Sequence, residues 1–204
     1  MQNTMIVTVT TRKGGAGKST VTMQLAGALA ARGAAVLVVD GDPQASAVQW
    51  AAAADEKPFP VPVVNLAAAG SRIDREILEQ AAHFEYTLVD CPPASDSPVS
   101  RSALWVSNLA LVPVNSSPLD LWGAVGIRDV IEDVQAVNEK LHARVVINQC
   151  QENTTLAREV IEALEGFGIP AFTTRIGHRT VYRQSAVFGG TVHDFGNRAS
   201  QAIS

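Results

Sequence analysis

A chain of 204 residues with 47% hydrophobic side chains can bury one sizeable core, and no low-complexity stretch or internal repeat divides it. The formal net charge of -4 excludes a protein drawn to nucleic acid or anionic lipid by its overall charge, so any such contact has to rest on a local patch. Two cysteines, Cys91 and Cys150, and four scattered histidines without metal-ligand spacing exclude a disulfide scaffold and a zinc site.

In chain order, Met5 to Thr10 reads as a strand and Ser19 to Ala31 as a helix, joined by Arg12-Lys13-Gly14-Gly15-Ala16-Gly17-Lys18-Ser19-Thr20. A second apolar run, Val36 to Val39, ends in Asp40-Gly41-Asp42-Pro43-Gln44. Pro58, Pro60 and Pro62 lead as extended chain into a third run, Val61 to Val64. Tyr86 to Val89 ends in Asp90-Cys91-Pro92-Pro93, and Leu109 to Val114 runs into a Pro-containing turn at Pro118 and Asp120. Pro118 there suits either a switch segment or a helix start. A last run, Val145 to Ile147, ends at Asn148. Short β-branched runs alternating with helical stretches predict an α/β fold. It is a single domain, 1–204, built on a doubly wound, mostly parallel sheet with helices on both faces.

The loop after the first strand carries the chemistry. Gly14, Gly15, Ala16 and Gly17 allow successive backbone N–H groups to turn inward around phosphates; Lys18 reaches the outer oxygens, the Ser19 hydroxyl suits magnesium, and Thr20 follows on the helix. Open α/β sheets place their ligands at the carboxyl ends of their strands, which puts Asp40, Asp42 and Asp90 beside the same phosphates. An Asp at such a turn is also a good helix cap. A strand-end Asp after four apolar residues is a weak signal alone; its place after the other two motifs gives it weight as a magnesium-site residue, with a nucleoside triphosphate and Mg2+ as the implied pair.

The run Lys13-Gly14-Gly15-Ala16-Gly17-Lys18-Ser19 departs from G-x-x-x-x-G-K-S/T through its extra lysine and so resembles the deviant Walker A motif of the ParA/MinD family of dimerising ATPases. The likeness extends over nearly the whole chain, including the D-x-D-P-Q segment at Asp40 to Gln44, and is nearest to the small ParA type that partitions plasmids or positions carboxysomes. It implies an ATP-dependent homodimer in which Lys18 serves the bound nucleotide, Lys13 crosses to the partner's phosphates, Asp42 orients the attacking water, and Asp40 and Asp90 organise the metal. It places Asn148 at the base, although a strand-end Asn is more often a turn residue. It further implies nonspecific DNA binding by the ATP dimer, an adaptor protein that stimulates hydrolysis, and a cytoplasmic, nucleoid-associated role without membrane contact.

Ala171 to Ser204 carries Arg175, Arg179, Arg183 and Arg198 against the single acidic Asp194, a basic segment that suits DNA if Arg179 and Arg183 share a helix face. A solvated arginine face is the plainer reading. The tail from Asp194 has too little apolar surface for a lipid-binding helix. A metabolic kinase or ligase of the dethiobiotin synthetase kind is the alternative function; Lys13 and the small size speak for a dimer switch instead.

Overall fold

The structure is a computed structural model that describes residues 4–55, 57–93, 97–116, 118–151, 159–160, 162–164 and 166–199, the side chains of 118–123 and 197–199 excepted. Its centre is a six-stranded sheet built from β1 (Met5–Val9), β2 (Val36–Asp40), β3 (Val63–Asn65), β4 (Tyr86–Asp90), β5 (Leu109–Asn115) and β6 (His142–Asn148). The order across the sheet is β3-β2-β4-β1-β5-β6, and every pairing is parallel. The helices are α1 (Lys18–Ala31), α2 (Ser46–Ala52), α3 (Ile73–Ala81), α4 (Pro98–Trp105), α5 (Pro118–Gln135) and α6 (Thr180–Val187), with 3-10 segments at Ala67–Arg72 and Val192–Ala199.

A parallel sheet has to be covered on both faces, and the period of two in a strand divides each run between them. Val7, Val9, Val36, Val38 and Leu88 pack with Val21, Met23 and Ala26 of α1 and with Ala47 and Trp50 of α2. Their neighbours Ile6, Leu37, Val39 and Val89 meet Ile73 and Ile77 of α3 and Val99 and Ala103 of α4 on the other face. In α3 the buried residues Ile73, Ile77 and Ala81 recur every four positions, one stripe of an amphipathic helix. The β5–β6 end is closed by Ala124, Ile127, Ile131 and Val134 of α5.

The proline-rich approach to β3 bends at Pro60 and Val61, so the strand begins at Val63 rather than Val61, and Val38 N–H donates to the Pro62 carbonyl at 3.0 Å. Pro118 opens α5, as its helix-start reading expects. A feature without a local sequence signal is the attachment of α6 and the segment after it to α1 and α2. Gln24 of α1 donates through Nε2 to Ser185 Oγ at 2.8 Å and accepts from Val192 N–H at 2.8 Å. Trp50 Nε1 donates to the Gly190 carbonyl at 2.9 Å, and Lys57 pairs with Asp194 at 2.6 Å.

Candidate nucleotide-binding site

The carboxyl ends of β1, β2 and β4 bring the three motifs together. Asp90 is in register with Val9 of β1 on one side and with Asp40 of β2 on the other. The loop leaving β1 turns through Gly15 at φ +76 and Gly17 at φ +87, a region that glycine enters without a steric penalty. Gly17 is the N-cap residue of α1, and no side chain caps that end. The first-turn N–H groups and the positive end of the helix dipole are therefore left for an anion.

Lys18 is buried, at 7% exposure, and its pKa is lowered by burial against the opposing pull of Asp90, Cys91 and Asp42. Asp90 is 1% exposed, and neither of its carboxylate oxygens has a hydrogen-bond partner among the described residues. Its pKa is pushed up to about 7, chiefly by burial and further by Asp40, while the nearby Ser19 hydroxyl and Lys18 pull it down. A buried carboxylate with two orphaned oxygens beside a serine hydroxyl is a costly arrangement unless a cation completes it. Ser19 and Asp90 are hard oxygen donors, and magnesium characteristically takes one or two protein oxygens alongside phosphates, so the residues fit that ion. Among the described residues no cluster of three His, Cys, Asp or Glu exists that would serve another metal.

Asp40, expected in the water shell of the metal, has its carboxylate engaged by backbone N–H groups. Its Oδ1 accepts from Asp42 N–H at 3.0 Å, and its Oδ2 accepts from Ala47 and Val48 N–H at 2.9 and 3.0 Å. The fully buried carboxylate thus caps α2 and fixes the turn before it, the helix-cap chemistry that competes with metal binding for any Asp at such a turn. Burial raises its pKa, opposed by those backbone N–H groups. Gly41 lies between the two aspartates because a Cβ there would stand 3.0 Å from Val99 Cγ1 and 3.2 Å from the Asp90 carbonyl. Asp42 is half-buried at the mouth of the site, with Oδ1 accepting from Gln44 N–H at 2.9 Å.

Lys13 is exposed, whereas Lys18 is buried. Asn148, expected at the base, donates through Nδ2 to the Ala16 carbonyl at 2.8 Å. Cys91 is completely buried, and burial pushes its thiol up to about 12, so it is an inert packing residue.

The basic segment is only partly as expected. Arg175, Arg179 and Arg183 are all exposed, but α6 starts at Thr180, so Arg179 is its extended N-cap residue rather than part of the helix. Arg183 lies on the first turns of α6 with Nη2 3.3 Å from His178 Nε2. The Arg198 side chain lies outside the described residues. Sequence reasoning missed Gln149, whose Nε2 donates to the Gly15 carbonyl at 3.3 Å, and Gln24, a polar residue in the apolar run of α1; that polarity was the only available signal for the second.

Fold and site together define a P-loop nucleotide-binding domain with two loop lysines. Residues 7–189 match the family model described as the CobQ/CobB/MinD/ParA nucleotide binding domain, and the chain belongs to that family as a nucleotide-binding ATPase of the ParA/MinD kind. It is 33% identical over 200 residues to maintenance of carboxysome distribution protein A of Halothiobacillus neapolitanus, spanning 93% of this chain and 87% of that protein. An ATP complex of an Asp-to-Ala variant of Cyanothece McdA shares the fold at a TM-score of 0.81 and 14% identity, covering 100% of this chain and 94% of the other. The septum site-determining protein MinD of Pyrococcus horikoshii with Mg-ADP follows at a TM-score of 0.77 and 21% identity, covering 98% and 93%. Among the described residues no helix is long and apolar enough to cross a membrane.

Proposed function

We propose that the chain is an ATP-driven positioning switch: it dimerises around ATP, binds DNA without sequence preference as a dimer, and releases it when an adaptor carrying a cargo stimulates hydrolysis. The observation that carries this reading is the division of labour between the loop lysines. Lys18 is buried against Asp90 and so belongs to its own subunit's nucleotide, whereas Lys13 stands exposed, where a second subunit's phosphates can reach it.

In the mechanism, the loop N–H groups from Gly14 to Thr20 hold the phosphates, with Ser19 and Asp90 as the magnesium residues. Magnesium, when bound, neutralises charge on the outer phosphate oxygens. Asp40 acts as a positioning residue: by accepting the N–H of Asp42 it fixes the turn from which Asp42 orients the attacking water. Phosphoryl transfer gains most from positioning and from cations placed where charge develops, so Lys13 supplied in trans ties hydrolysis to dimerisation.

Arg175, Arg179 and Arg183 provide the DNA face, and pairing two subunits doubles the phosphates contacted, which steepens the salt dependence of binding. The 33% identical maintenance of carboxysome distribution protein A supports a carboxysome as the class of cargo. The test is binding to random duplex DNA without nucleotide, with ADP and with ATP-Mg2+ at two salt concentrations. The native chain should bind only with ATP and lose affinity with salt. The double variant Arg179→Glu, Arg183→Glu should lose DNA while hydrolysing ATP normally; unchanged DNA affinity would overturn the assignment of that face.

A further inference from the structure

The phosphate loop is gripped from behind by the end of a strand that contributes no residue to the loop itself. Asn148, the last residue of β6, is 4% exposed and donates to the Ala16 carbonyl at 2.8 Å; the next residue, Gln149, donates to the Gly15 carbonyl at 3.3 Å. Two consecutive side chains therefore hold two consecutive carbonyls. Extended chain cannot do this, because successive side chains point to opposite faces. The alternation is broken where it has to be: Gln149 has φ +50, one of two described non-glycine residues in the left-handed region. The turn is anchored on its far side by Cys150, whose N–H donates to the Ile176 carbonyl at 2.8 Å and whose carbonyl accepts from His178 N–H at 3.0 Å.

The loop is shaped to receive the grip. A Cβ on Gly17 would stand 2.3 Å from Asn148 Nδ2, so this glycine is required by the approach of Asn148 as well as by its own φ of +87. In a planar trans peptide the C=O of one residue and the N–H of the next point in opposite directions. Drawing the Gly15 and Ala16 carbonyls toward β6 therefore aims the Ala16 and Gly17 N–H groups the other way, into the concave side of the loop where a phosphate lies. Concavities of this kind bind anions through successive N–H groups, and their affinity depends on those groups being aimed beforehand.

We infer that Asn148 and Gln149 are positioning residues for phosphate binding: they hold the loop in its anion-binding shape before nucleotide arrives and act through the loop rather than through the base. Asn148→Asp tests this with almost no change in volume, since it replaces the donor with an acceptor facing the Ala16 carbonyl. Affinities of the full chain for Mg2+-bound ADP, IDP and GDP are measured by calorimetry, with circular dichroism to confirm folding. The three should weaken by the same factor, about tenfold, leaving the preference among bases unchanged. Gln149→Ala, at a surface position that tolerates truncation, should give a smaller loss of the same base-independent kind, about threefold. Native ADP affinity in both variants would overturn the inference. So would a change in the ADP-to-IDP ratio with Asn148→Asp, because that marks contact with the base. Lower unfolding temperatures of the nucleotide-free variants with native affinities of the folded protein for all three nucleotides would mark a purely structural role and overturn the inference as well.

Discussion

Removing the charge of Asp90 should stabilise the nucleotide-free protein while disabling it. The carboxyl is 1% exposed, its oxygens have no hydrogen-bond partner among the described residues, and burial leads the causes that push its pKa up to about 7 from the 3.8 of an unperturbed Asp. A shift of about three units, at 1.36 kcal/mol each, sets a ceiling of about 4 kcal/mol on the penalty that ionised Asp90 imposes on the fold. Because the folded pKa is raised, the protonated acid is harmless below the unfolded pKa. Stability is lost as the pH rises through the interval between the two pKa values, and the loss is complete above the folded one. Asn carries no such penalty, but its amide brings donors into the same cavity and Lys18 loses a countercharge, so the net gain should be about 2 kcal/mol at alkaline pH. The assay is urea unfolding of native chain and Asp90→Asn with magnesium chelated, at about pH 4.5 and pH 8. The variant should be the more stable at the higher pH, with the difference shrinking at the lower, and its nucleotide affinity should no longer respond to magnesium. A variant no more stable than native at pH 8, or a difference independent of pH, would refute the assignment of Asp90 as a strained, cation-awaiting group.

Gln24→Ala should cost about 2–3 kcal/mol in urea unfolding, because it removes two hydrogen bonds and strands the N–H of Val192, which is 4% exposed. An unchanged midpoint would mean that α6 is held by packing alone. Lys18→Ala should abolish nucleotide binding, since no other buried cation faces Asp90 among the described residues; tight ATP binding by that variant, measured by calorimetry, would contradict the loop assignment.

The sheet was legible because its strands announce themselves twice, as β-branched runs and as stems of motifs that need a strand end. The loop was legible because glycines, Lys18 and Ser19 occur in the one spacing that phosphate requires. What escaped was set by partners distant in sequence. Helix capping by Asp40 was legible as an alternative, and the structure adds which N–H groups its oxygens take, those of Ala47 and Val48. Asn148 and Ala16 are 132 positions apart, and Gln24 and Val192 are 168 apart, so no local pattern joins them. The four-residue spacing of Arg179 and Arg183 suggested one helix, yet the extended backbone of Arg179, at φ -125 and ψ 135, puts the boundary between them.

The most direct test of the dimer switch is the molar mass in solution of Asp42→Ala, alone and with the added change Lys13→Ala, in the absence of nucleotide, with ADP-Mg2+ and with ATP-Mg2+. Asp42→Ala should be a monomer without nucleotide and with ADP, and a persistent dimer with ATP; adding Lys13→Ala should return it to a monomer that still binds ATP. A monomer under all three conditions, or a dimer indifferent to Lys13, would contradict the account.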